Sequence, residues 1–106
     1  MRLYILDDQR RPIRASDLSE WQQWIKRRDG DLKIGVETVG EARVSTVFLA
    51  ADASLDATDE PLLFETMILG GPLRHERVRY ATWEEAEAGH RQWVERLKGA
   101  ASKGGH

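Results

Sequence analysis

The amino-acid sequence predicts an α+β domain, a mostly antiparallel sheet of four to five strands with two helices packed on one face. Two segments repeat apolar residues at helical spacing, and each is opened by a capping signal. Short runs rich in β-formers lie before and between them, separated by polar or glycine-containing turns. All four tryptophans fall in the two helical segments, where such spacing marks core packing more often than a recognition surface.

The first strand is Leu3 to Leu6, stopped by Asp7 and Asp8 and followed by a basic stretch through Pro12. Ser16 or Asp17 caps a helix over residues 16–28, in which Leu18, Trp21, Trp24 or Ile25 and Arg28 share a face until Asp29 and Gly30 end it. Residues 31–40 form an extended segment that alternates Leu32, Ile34 and Val36 with Lys33, Gly35 and Glu37. Arg43 to Ala51 is the clearest strand, with Val44, Thr46, Phe48 and Ala50 on one side.

A polar insertion over residues 52–61 then separates two strands expected to pair as neighbours. The second of these is Leu62 to Leu69, closed by Gly70-Gly71-Pro72. Leu73 to Tyr80 is the last strand, with His75, Arg77 and Arg79 on one face. Thr82 and Glu85 form a capping box in which the glutamate reaches back to the backbone, so the second helix starts at Trp83. Its inward set is Trp83, Ala86, His90, Trp93, Val94 and Leu97, and helix propensity fails at Gly99.

A chain of 106 residues has room for one core, assigned to residues 1–98, with 99–106 as a flexible C-terminal tail. The 16 basic and 18 acidic residues nearly balance, which argues against a protein built to hold a nucleic-acid backbone. Cysteine is absent, so disulfides, thiolate metal sites and cysteine nucleophiles are excluded. No apolar run has the length of a signal peptide or membrane span, and a cytoplasmic location is expected.

Three groups of side chains are candidates for function. His90 on the inward helix face would meet Glu65 or Thr66 of a strand, the arrangement of an oriented base, or else of a satisfied core histidine. Asp52, Asp56, Asp59 and Glu60 could hold a divalent cation through oxygen ligands. Their spacing fits no calcium loop, however, and no metal or cofactor is expected. His75, Arg77 and Arg79 would present a basic strand face to an anionic ligand or acidic partner, or would guard a sheet edge.

The runs Tyr4-Ile5-Leu6-Asp7, Arg43 to Leu49, Pro61 to Met67 and Arg79 to His90, with the tryptophan-rich first helix, resemble a family of small proteins encoded by tailed bacteriophages and prophages. The resemblance spans nearly the whole chain and implies a mobile-element origin without a particular reaction. Members of that family often carry an Asp-His pair and glycines after the long strand, whereas Asp52 here is followed by Ala53 and Ser54. That departure speaks against carrying over an enzymatic role. The expectation is a non-catalytic binding or accessory protein with a host or phage protein as partner, inhibition of a bacterial defence system included. A homodimer through an exposed sheet edge is a further expectation. The alternative is a small-ligand binder or enzyme around Glu65, His90 and Asp52.

Overall fold

Arg2–Leu6 (β1) turns back on Pro12–Arg14 (β2) as an antiparallel hairpin, because Asp7 closes the connection. Asp7 Oδ1 accepts from the backbone N–H groups of Gln9 (2.8 Å) and Arg11 (2.9 Å), and Oδ2 from Arg11 Nε (3.2 Å). These donors, the Arg11 backbone N–H foremost, hold the Asp7 carboxyl below the usual aspartate value. The computed structural model describes residues 1–53 and 61–104, with side chains through residue 100.

Leu18–Arg27 (α1) follows, capped by Asp17, whose Oδ1 accepts from Glu20 N–H at 2.8 Å, while Glu20 Oε1 accepts from Ser16 N–H at 2.8 Å. Four antiparallel strands then form the larger sheet in the order β3-β4-β6-β7: Lys33–Val39 (β3), Ala42–Phe48 (β4), Phe64–Leu69 (β6) and Arg77–Tyr80 (β7). Ala51–Asp52 (β5) instead joins β1 and β2 in a second sheet, ordered β2-β1-β5. The last element is Trp83–Gly104 (α2). The α+β class is as the sequence predicts. The strands divide between two sheets, with α1 against β1 and α2 across the larger sheet.

The division is made at Ala50. The sequence reads Arg43 to Ala51 as one strand, but Ala50 adopts φ 62°, a left-handed conformation that turns the chain out of β4 and into β5. The Ala50 carbonyl accepts from Tyr4 N–H (2.8 Å) and from Trp21 Nε1–H (3.0 Å), so the corner is tied to both β1 and α1. β2 is a strand that the sequence does not reveal, because Pro12 opens it, a position where a strand tolerates proline.

A series of rings, edge-to-face at its two ends and tilted in the middle, joins the layers. Trp24 meets Phe48 at 5.8 Å, Phe48 meets Phe64 at 5.3 Å and Phe64 meets Trp83 at 6.3 Å between centroids. A second cluster, Ala42, Val44, Ile68, Val94 and Leu97, fills the space between α2 and the far half of the sheet, with Trp93 packed on it. All four tryptophans contact these cores, Trp24 buried and the other three partly so.

Two ends differ from expectation. Glu85 N–H donates to Thr82 Oγ1 at 3.1 Å as a capping box requires, but Glu85 Oε1 takes the Thr82 hydroxyl hydrogen (3.0 Å) rather than a backbone one. At the other end α2 continues past Gly99 to Gly104, across a segment where the sequence expects a flexible tail; residues 105–106 lie outside the described residues.

β7 starts at Arg77, later than the sequence reading, because residues 72–75 form a turn and His75 lies at φ 78°. His75 N–H donates to the Ile68 carbonyl and Ile68 N–H to the Glu76 carbonyl, both at 3.0 Å, so two residues oppose one. This is a bulge whose first residue is left-handed, a place where glycine is favoured. His75→Gly is expected to raise stability by about 0.5–1 kcal/mol, read from the denaturant midpoint. A lowered midpoint would show that the imidazole contributes contacts the turn needs.

Candidate functional site

The alternation of β4 and β6 places Ala42, Val44, Thr46 and Phe48, with Phe64, Thr66 and Ile68, on the face under α2. Two threonines therefore sit opposite each other in an apolar layer, Thr46 paired with Thr66, both fully buried. Their hydroxyls are 2.6 Å apart, and Thr46 Oγ1 lies 2.7 Å from His90 Nδ1. The Tyr80 hydroxyl donates to Thr66 Oγ1 at 3.1 Å, and His90 Nε2 lies 3.1 Å from Glu37 Oε1.

Each hydrogen is used once only if the chain runs in one direction. Tyr80 donates to Thr66, Thr66 to Thr46, Thr46 to the bare Nδ1 of His90, and Nε2–H to the Glu37 carboxylate. Low exposure of the imidazole (7%) against the half-exposed Glu37 (51%) means that the relay, after the half-buried Tyr80, crosses the core layer and ends at solvent. Gly35 makes the approach possible: a Cβ there would fall 3.0 Å from His90 Nε2.

His90 thus has strand partners, as the sequence expects, and Thr66 is among its network, but Glu65 is not. The carboxylate of Glu65 is one residue out of phase and faces the opposite side of the sheet, where Arg79 Nε donates to it at 2.9 Å. Asp52 belongs to the other sheet, next to Arg2, with Arg2 Nη1 to Oδ2 at 3.6 Å. The grouping of Glu65, His90 and Asp52 therefore does not form one site. Asp56, Asp59 and Glu60 lie outside the described residues. Sequence reasoning missed Thr46 and Glu37 as partners of His90, although Thr46 stands in phase with Val44 and Phe48 and so signals a buried hydroxyl needing a partner.

The order hydroxyl, imidazole, carboxylate has the sequence of a nucleophile, its base and an orienting acid. Thr46 has no exposed surface, however, so no substrate reaches its oxygen, and the relay satisfies buried polar groups instead.

The opposite face of the larger sheet is built differently. Register places Thr38, Arg43 and Leu69 in one cross-strand row, Val36, Ser45, Met67 and Arg77 in the next, and Lys33, Val47, Glu65 and Arg79 in the third. Arg77 and Arg79 share this face as the sequence expects, but His75 has left the strand for the turn. Val36 and Leu69 are exposed, and Val47 and Met67 are half-buried. Neither helix covers these rows, since α2 packs on the other side and α1 on β1.

Comparison with protein-family models, curated proteins and solved structures finds no match. Among the described residues, no helix is long and apolar enough to cross a membrane.

Proposed function

We propose that the chain is a small non-catalytic binding protein, of the accessory kind that tailed phages and prophages encode, acting in the bacterial cytoplasm on a host or phage protein. The observation that carries this reading is the one-sided larger sheet: α2 covers one face, while Val36, Val47, Met67 and Leu69 look outward from the other. Apolar side chains interleaved with charged ones on an uncovered sheet face offer a protein contact surface. Inhibition of a bacterial defence system is one task such a surface serves. The enzymatic alternative loses its grouping, because Glu65 and His90 lie on opposite faces of the sheet and Thr46 is closed to substrate.

The test is affinity capture with the tagged chain and with a Val36→Asn/Leu69→Asn variant, both of whose positions are already exposed (38% and 42%). The expected result is a stoichiometric protein retained by the unaltered chain and lost from the variant at unchanged melting temperature. Equal retention by both would overturn the assignment of this face.

A further inference from the structure

The uncovered face is not neutral. Lys33, Arg43, Arg77 and Arg79 stand on its rows against the single carboxylate of Glu65, although the chain as a whole carries a net charge of −2. Arg79 is engaged with Glu65. Lys33, Arg43 and Arg77 have no acidic partner among the described residues. Three unpaired cations thus stand among the apolar residues, Arg43 beside Leu69, Arg77 beside Met67 and Lys33 beside Val47 in the cross-strand rows, with Val36 one row from Arg43.

We propose that this face docks an acidic segment of a partner protein, its carboxylates meeting Arg43 and Arg77 and its apolar side chains seated on Val36, Val47, Met67 and Leu69. The inference rests on the binding-protein reading above and adds the chemistry of the partner. Arginine presents a planar fork to a carboxylate, so Arg43 and Arg77 can each take one in two parallel hydrogen bonds. At one end of the face an open depression of about 590 Å³, lined in part by Asp31, Lys33, Val47 and Leu49, offers room for a larger side chain. Asp29 lines it too, so the cationic part of the face ends there and the partner's acids belong over Arg43 of β4 and Arg77 of β7.

Other occupants fit less well on the same observations. A second copy of the chain laid face to face would set like charges against one another, which opposes association. A nucleic acid would place phosphates near the Glu65 carboxylate, and the face has no aromatic ring on which a base could stack.

The experiment is an amide NMR titration of the full chain with three probes: a peptide alternating glutamate and aspartate with leucine and phenylalanine, its lysine and arginine counterpart, and a mixed-sequence single-stranded DNA. The expected result is that the acidic peptide alone shifts Val36, Ser45, Val47, Met67 and Arg77. Arg43→Glu/Arg77→Glu, two exposed positions, is expected to weaken that binding by about tenfold or more while leaving the spectrum dispersed.

Absence of shifts at millimolar acidic peptide, indifference to the charge reversal, stronger shifts from the basic peptide or the DNA, or concentration-dependent shifts without any probe would each overturn the proposal. The two levels remain separable. If Val36→Asn/Leu69→Asn abolishes capture but the acidic peptide leaves the face undisturbed, the binding reading stands and the acidic preference falls. If that variant captures as before, the reading itself fails.

Discussion

Phe64→Ala is expected to lower the stability of the folded chain by about 3–5 kcal/mol, measured by denaturant unfolding. Phe64 is completely buried and occupies the middle of the ring series, in contact with Phe48 on one side and Trp83 on the other. Those neighbours lead through Phe48 to Trp24, so one side chain links α1, both central strands of the larger sheet and α2. Truncation removes the transfer free energy of the ring and leaves a cavity that rigid neighbours on both sides cannot collapse into. Small domains are stable by about 5–15 kcal/mol in total, so the variant should populate unfolded chains at moderate temperature. A loss below about 1 kcal/mol would mean that the layers do not share one core.

Thr46→Val is expected to be nearly as damaging although it changes shape very little. The hydroxyl stands between Thr66 and His90, and removing it leaves the Thr66 hydroxyl hydrogen and His90 Nδ1 without a partner in an apolar layer, at about 1–3 kcal/mol for each. The signature is non-additivity. Combining Thr46→Val with His90→Leu removes the stranded imidazole as well, while Thr66 keeps its bond from Tyr80 and Glu37 turns to solvent. The double variant should therefore be less destabilised than the sum of the two single ones. Simple addition would show that the three groups do not act as one network.

Much of the architecture could be read from local signals. Both helix starts are written in side chains that bond their own backbone, Asp17 and Thr82, and such signals need no tertiary context. β4 and β6 were legible because each keeps strict phase with a buried face. The errors come from single residues that break phase without a characteristic side chain. Ala50 and His75 adopt left-handed backbones normally signalled by glycine or asparagine, so the corner and the bulge were invisible.

A third break has the largest effect on the site. Lys33 pairs with Val47 and Gly35 with Thr46, so Ile34 is an extra residue in β3. The alternation of Leu32, Ile34 and Val36 predicts all three inside, yet beyond the bulge Val36 faces out and Glu37 faces His90. One inserted residue thereby supplies both the acid at the end of the relay and part of the uncovered face. The basic pair Arg77 and Arg79 was legible because β7 keeps phase after its late start. The apolar residues that share their face were not, since Val36, Val47, Met67 and Leu69 are brought together only by the register of three strands.

The corner at Ala50 has a consequence for the order in which the protein is made. Tyr4 finds its backbone acceptor only when residue 50 has been added, and β1 finds β5 only at residues 51 and 52. At translation rates of about 5–20 residues per second, the first strand therefore waits roughly 2–9 s for its second neighbour. During that interval β2 and α1 are the neighbours already made for Tyr4 and Leu6, while Phe48, Ala50 and Phe64, which complete their cluster, are still to come, so the hairpin and first helix wait with one side of their core open.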